Sequence, residues 1–275
     1  MKNILNIAFI ALGFMMLNAQ VKETHNIPLS MPNESGKLVV NIVDGSIAVT
    51  GYDGNEVVVI AIGQEKNKSW EKPKKDYNNS AKNGMSRVKN NALEYTVEEI
   101  NNIVYIRYTP GKAIIDFEVM VPHNFSVDLK TVNRGNILVD GLNGTHEVSN
   151  TNGKVTMTNV GGSVVADALN KDIVVGFKSI NSNATMMFTS LNGDVDISFP
   201  KKLKANVIAR SDFGNVYTDF EIDVDNSKPT TKTSDKGGTY KIKREKGIKG
   251  KINGGGANIT FKTLNGDILI RSNDK

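Results

Sequence analysis

Acidic side chains at short, regular intervals are the groups in this chain best suited to chemistry. Asp219, Glu221, Asp223 and Asp225 alternate, so on a single strand all four would point to one side, as calcium ligands do. Distance argues against that reading. Side chains two residues apart on a strand stand roughly 6.6–7 Å from each other, whereas oxygens sharing a Ca²⁺ lie about 2.3–2.6 Å from the ion. Gly254-Gly255-Gly256-Ala257-Asn258 approaches the Gly-Gly-x-Gly-x-Asp turn of calcium-binding β-rolls, but it has Asn where the ligand Asp is required. The four acids are read as a solvated face. Asp172, Asp194 and Asp196 raise a second chemistry, because glycoside cleavage uses carboxylates about 5–9.5 Å apart, and these three could pair across neighbouring repeats. The competing reading is structural. An Asp after Asn-Gly caps its own turn, and the same Asp recurs at Asp267.

Other catalytic groups are scarce. His25, His123 and His146 lie far apart, and Thr145-His146-Glu147 lacks the spacing of a zinc hydrolase. The chain has no cysteine, which removes a thiolate nucleophile, a thiolate zinc site and any disulfide together. No G-x-S-x-G is present either. No catalytic, cofactor-binding or metal-binding residue is assigned, and no cofactor is expected. One charged segment stands out. Between Lys228 and Lys251 nine Lys/Arg oppose Asp235 and Glu245, a local +7 against +5 for the whole chain. Its end, Lys241, Lys243, Arg244, Lys246, Lys249 and Lys251, is a candidate contact for a polyanion such as lipopolysaccharide or an acidic glycan. A solvated loop is the plainer alternative. A single Trp in an exported chain does not point to nucleic acid.

Strands and turns must position these groups. Among 275 residues there are 33 Asn and 25 Gly, the two types that most readily turn the backbone sharply. They are poor helix formers, and β-branched residues are frequent, so the composition is all-β. Apolar strands run from Gly36 to Ile62, broken at Asp44-Gly45 and Asp53-Gly54, both tight-turn signals. Strand texture returns at Ala92–Val97, Ile103–Tyr108 and Ile114–Val121.

The chain then repeats itself. Segments at Arg134, Asn152, Asn170, Asn192, Phe213 and Asn265 align on turn positions Gly135, Gly153, Lys171, Gly193, Gly214 and Gly266, spaced 18, 18, 22, 21 and 52 residues apart. Each strand alternates, as in Val195, Ile197 and Phe199 against Asp194, Asp196 and Ser198, so a neighbour above and below must cover its apolar face. This favours a β-solenoid or β-roll of short stacked strands with Asn-Gly turns; an antiparallel β-sandwich is the alternative. Positive φ is expected at the Asn, the Gly or both in the turns of Gly153, Gly193 and Gly266. The last repeat, Ala257 to Arg271, is expected to close the stack.

Residues 1–19 read as a signal peptide: Lys2, an apolar run from Ile7 to Leu17, then Ala19 before Gln20. Residues 20–130 form an N-terminal β region with a basic loop insertion at 64–89. Residues 131–275 form the repeat region, with a basic insertion at 226–251, continuous with the first. No second segment is long enough to span a membrane, and without Cys the chain is not expected to be a lipoprotein.

The order of these motifs resembles the bacterial putative-adhesin family of β-strand-repeat proteins, a domain of unknown function. The resemblance rests on Gly45-Ser-Ile-Ala-Val-Thr-Gly-Tyr-Asp53, on Val119-Met-Val-Pro122, and on the ladder of Asn-Gly-Asp-Ile turns. It covers roughly 36–62 and 117–220, with a last repeat at 257–271; Lys171 and the two basic insertions depart from it. It implies a β-solenoid or β-roll, an exported protein and no known catalytic residues. The function expected is a non-catalytic scaffold of the cell envelope that meets a glycan or surface protein. A polysaccharide lyase or hydrolase on the same scaffold is the alternative.

Overall fold

The alternation read in the sequence becomes burial. In the strand Val195–Phe199, Val195, Ile197 and Phe199 are buried while Asp196 and Ser198 are half-exposed. The computed structural model describes residues 21–64, 93–108, 114–225 and 247–273. The expected signal peptide and most of both basic insertions lie outside them. Among the described residues the chain is all-β, twenty strands joined in one sheet. The first ten are β1 (Lys22–Pro28), β2 (Gly36–Asn41), β3 (Ile47–Tyr52), β4 (Glu56–Gln64), β5 (Tyr95–Ile100), β6 (Ile103–Tyr108), β7 (Ile114–Pro122), β8 (Phe125–Thr131), β9 (Ile137–Asp140) and β10 (Asn143–Asn150). The rest are β11 (Val155–Ala168), β12 (Ile173–Ile180), β13 (Thr185–Ser190), β14 (Val195–Phe199), β15 (Ala205–Ser211), β16 (Val216–Thr218), β17 (Ile222–Val224), β18 (Ile248–Ile252), β19 (Ala257–Thr263) and β20 (Ile268–Ser272).

Most of these strands pair in two parallel ladders. One runs in space β6-β2-β8-β10-β11-β13-β19-β15. The other runs β7-β3-β9-β11-β12-β14-β20-β16. β11 belongs to both, changing ladder at an irregularity where Asn159 and Gly162 have φ of 52° and 99°. The ladders share one core. Phe177 stacks on Phe199 within the second ladder and Phe188 on Phe261 within the first, and the two pairs meet edge-on across the middle. Two layers over one core preserve that aspect of the sandwich alternative, although the pairing within each ladder is parallel. Asp44-Gly45 and Asp53-Gly54 do turn the chain, but not as hairpins: β2 and β3 pair with other levels, never with each other.

The stack has eight levels, and its spatial order departs from chain order at both ends. β2–β3 sits inside β6–β7, and β19–β20 sits inside β15–β16. The last repeat therefore does not close the stack; it is inserted between β13–β14 and β15–β16. Antiparallel strands cover three of the four outermost ladder strands, β5 on β6, β4 and then β1 on β7, and β18 and then β17 on β15, while β16 pairs only with β20 among the described residues. An unpaired parallel edge is a template for aggregation, and such strands blunt it.

At the corner between the ladders the repeat turns form one column. Its order is Gly45, Gly135, Gly153, Lys171, Gly193, Gly266, Gly214. A Cβ on Gly153 would overlap the Gly135 carbonyl, one on Gly266 the Gly193 carbonyl, and one on Gly214 the Gly266 carbonyl. From Gly135 onward the requirement for glycine is thus close approach of backbones, not handedness; Gly45 alone in the column has a positive φ, 121°. Gly153, Gly193, Gly266 and their preceding Asn are not among the residues with positive φ, so that expectation is corrected. Beside this column runs a ladder of amides: Asn152 donates to Asn133 at 2.8 Å, Asn170 to Asn152 at 2.8 Å, Asn192 to Asn170 at 2.9 Å and Asn265 to Asn192 at 2.8 Å. Asn133, rather than Arg134, is the partner of Asn152; Arg134 is an extra residue at φ 55°.

Inside the corner, polar side chains satisfy the turn. Thr131 donates to the Gly45 carbonyl, Asn150 to that of Gly135, Ser190 to that of Lys171, Thr263 to that of Gly193 and Ser211 to that of Gly266. Asn150, Ser190 and Ser211 also accept the N–H of the glycine three residues on. Buried polar groups persist only when so partnered. Ala168 occupies this position at the Lys171 level, where the glycine is missing too.

Replacing Gly193 by Ala should push a methyl into the Lys171 backbone and destabilise by about 1–3 kcal/mol, the usual range for overpacking. Thermal melts would show it as a loss of several degrees. Lys171→Gly should melt like the parent or higher. A Gly193→Ala protein that melts with the parent would contradict the corner packing described.

Candidate functional site

The repeat acids are built into the stack. Asp172 Oδ1 accepts the backbone N–H of Asp194 at 3.1 Å, Asp194 Oδ1 that of Asp267 at 2.8 Å, and Asp267 Oδ1 that of Asn215 at 2.8 Å. Asn136 and Asp116 do the same for Lys154 and Ser46. Each side chain supplies the acceptor that the turn on the next level lacks. Asp196 lies on the outer face and holds Arg271 through two bonds, 2.6 and 3.1 Å. That carboxylate raises the guanidinium pKa further above its ordinary value.

The other acidic series is not one strand. β16 ends at Thr218 and β17 starts at Ile222, so Asp219 and Glu221 lie between strands. Asp219 Oδ2 accepts from Ser272 N at 3.4 Å, Asp223 pairs in register with Lys251, and Asp225 lies 3.9 Å from Lys249 Nζ. Among the described residues no three His, Asp or Glu side chains are grouped closely enough to hold a metal ion.

Of the candidate polyanion residues, Lys249 and Lys251 are described, on β18; Lys241, Lys243, Arg244 and Lys246 lie outside the described residues. Ile248, Gly250 and Ile252 alternate with these two lysines, a period-two signal that would have marked β18 as a strand. Lys249 and Lys251 border a groove of about 460 Å³ between β15, β17, β18 and β19. Ile208, Asn206, Asn258 and Thr260 form its other side.

Register extends such surfaces along the molecule. Val165, Met187, Thr260 and Ile208 form one outward row on the first ladder, and three of the four are exposed apolar side chains. Leu138, Thr156, Val174, Asp196, Leu269 and Tyr217 form a row on the second. At the corner Leu169, Leu191 and Phe213 are exposed, Phe213 at 79%.

The histidines are placed apart. His25 Nε2 meets the Tyr95 hydroxyl at 2.7 Å, and Tyr95 donates to Glu23 at 2.9 Å. Burial, and then the Glu23 carboxylate, push the Tyr95 phenol above its ordinary pKa. His123 Nδ1 lies 2.7 Å from the Gly141 carbonyl. His146 is fully buried, between Val127 and Val164 on adjacent strands. Its Nε2 lies 3.3 Å from the Gly161 carbonyl, and its Nδ1 has no partner.

No family model and no curated protein matches the sequence. Two solved structures resemble the chain over most of its length. A putative cell adhesion protein of Clostridium sporogenes has 11% identity and a TM-score of 0.49, over 92% of this chain and 99% of that one. A putative adhesin of Bacteroides fragilis has 11% identity and a TM-score of 0.40, over 93% and 97%. Likeness at this level assigns neither a family nor a role.

Burial lowers the pKa of His146 from 6.5 to about 4. A depressed histidine pKa means the folded state holds the neutral ring, so its stability is complete above about pH 6.5 and falls as pH drops toward 4. The loss should reach about 3 kcal/mol at the acid end, at 1.36 kcal/mol per pKa unit. Melting temperatures of the parent and a His146→Leu variant, followed from pH 7 to 4, should show the parent losing stability relative to the variant as pH falls. Parallel curves would refute it.

Proposed function

We propose that this chain is an exported, non-catalytic scaffold, its eight levels forming a β-solenoid whose outer faces make adhesive contacts with a component of the cell envelope. The observation that carries this reading is the pair of parallel ladders, which set side chains in straight outward rows across neighbouring levels. Repeat scaffolds use extended surfaces of this kind for binding. The employment of the acids supports the same reading. A hydrolase or lyase needs carboxylates free to exchange protons with substrate, whereas Asp172, Asp194 and Asp267 each accept a backbone N–H from the next level and Asp196 holds Arg271. Export rests on the N-terminal apolar segment of the sequence.

Incubation with a panel of envelope polysaccharides tests the choice, with bound glycan and new reducing ends measured together. Retention without new ends is expected. Release of reducing ends that Asp194→Asn or Asp196→Asn abolishes would overturn the scaffold reading in favour of a carbohydrate-active enzyme. For export, the protein recovered from outside the cytoplasm should begin near Gln20, and a chain retained inside with residues 1–19 intact would count against it.

A further inference from the structure

We infer that the groove between β15, β17, β18 and β19 binds a neutral oligosaccharide through its hydroxyl edge and one C–H face. The inference rests on the adhesive reading above and gives that contact a place and a chemistry. At about 460 Å³ the groove falls within the roughly 300–1,000 Å³ of small-ligand sites. Its sheet continues outward from the stack: β19 pairs with β15, β15 with β18 and β18 with β17. Register therefore sets Asn258, Asn206, Lys251 and Asp223 in one row, and Thr260, Ile208 and Lys249 in the next.

The two amides are fixed before any ligand arrives. Asn206 Nδ2 donates to the Gly256 carbonyl at 3.0 Å and to Asn258 Oδ1 at 3.1 Å. This orients the Asn258 amide so that Oδ1 is used, while its Nδ2 donors have no partner among the described residues. The Thr260 hydroxyl, the Lys251 ammonium and the Asp223 carboxylate are likewise without partners among the described residues. Together they offer donors, an acceptor and a group that is both, the mixture that matches sugar hydroxyls, which also donate and accept. Ile208, 45% exposed, borders the same groove and suits the C–H face of a pyranose ring.

Charge decides between neutral and anionic glycans. Lys251 stands across from Asp223, and Asp225 lies 3.9 Å from Lys249. Among the described residues two cations meet two anions at the groove, so this lining carries no net charge that would favour a polyanion.

The test uses the full chain with glucose, mannose and N-acetylglucosamine oligomers beside heparin-derived and polygalacturonate oligomers, at low and high salt. Binding of one neutral oligomer is expected, with little salt dependence. Asn258→Ala and Asp223→Ala should each weaken it at least tenfold without changing the melting temperature, while Thr156→Ala on the other ladder leaves it unchanged. Neutral binding that both groove variants retain would overturn this site and leave the adhesive scaffold standing. Binding confined to the anionic oligomers, falling steeply with salt as counterion release requires, would overturn the neutral assignment, and so would no binding at all. Shortening of an oligomer would instead overturn the non-catalytic reading, with the variants still judging the groove.

Discussion

Where the chain passes from one ladder to the other, its backbone has to turn within the spacing of stacked strands, about 4.8 Å, with each turn lying directly on the one below. Little else in the molecule is as constrained. The space between levels is taken up by carbonyl groups, so Gly135, Gly153, Gly193, Gly266 and Gly214 stand where a side chain would collide with backbone. The polar groups left by the turn then need partners from residues close at hand. Thr131, Asn150, Ser190, Thr263 and Ser211 serve from inside, the Asp and Asn side chains after the turns serve from outside, and the Asn ladder ties successive levels along the edge. Seven of the 33 Asn serve this geometry. Their part is less a matter of flexible turns than of amides that donate and accept along one axis.

Stacked parallel strands leave two costs, an open edge at each end and a pair of chain termini to be tied down. The chain meets both by folding its ends inward. Its first level, β2–β3, and its last, β19–β20, are each covered by a level from further inside the sequence, and antiparallel strands then cover both strands of the outer level β6–β7 and the β15 strand of β15–β16. Both terminal levels thereby gain a neighbour on each side. The same arrangement creates the groove, because β17 and β18 extend the first ladder past β15 instead of ending it.

Among the described residues the buried interior is apolar and aromatic apart from the corner column, His146 and Asn102, whose amide bonds the Met31 backbone. Four phenylalanines cross the middle levels in stacked and edge-on pairs, geometries favoured by the ring quadrupole. His146 is the one buried polar side chain with an unpartnered atom among the described residues. The outer rows are aligned by the stacking geometry, which does not specify their residue types.

Asn, Gly and β-branched content already determined an all-β chain, alternation and the repeated Asn-Gly-Asp turn favoured stacked strands over a sandwich, and the turn positions read in sequence do form one column. The reason is local: a period of two and a close backbone contact both constrain residue type position by position. The order of the levels was not legible in this way. Residues 205–218 and 257–272 carry equivalent strands and equivalent turns, Ser211 with Gly214 and Thr263 with Gly266, so nothing local says which sits inside. That was decided by covering the ladder edge, a property of the whole stack. The parts played by Asp172 and Asp194 were likewise only half legible: the spacing allowed cleavage chemistry or turn support, and the turn support became visible only with the approach of the next level, whose N–H lies 2.8–3.1 Å from each carboxylate. The groove was invisible for the same reason. Asn206, Lys251, Asn258 and Asp223 are separated by up to 52 residues in the chain and become one row only when β15, β17, β18 and β19 are brought side by side.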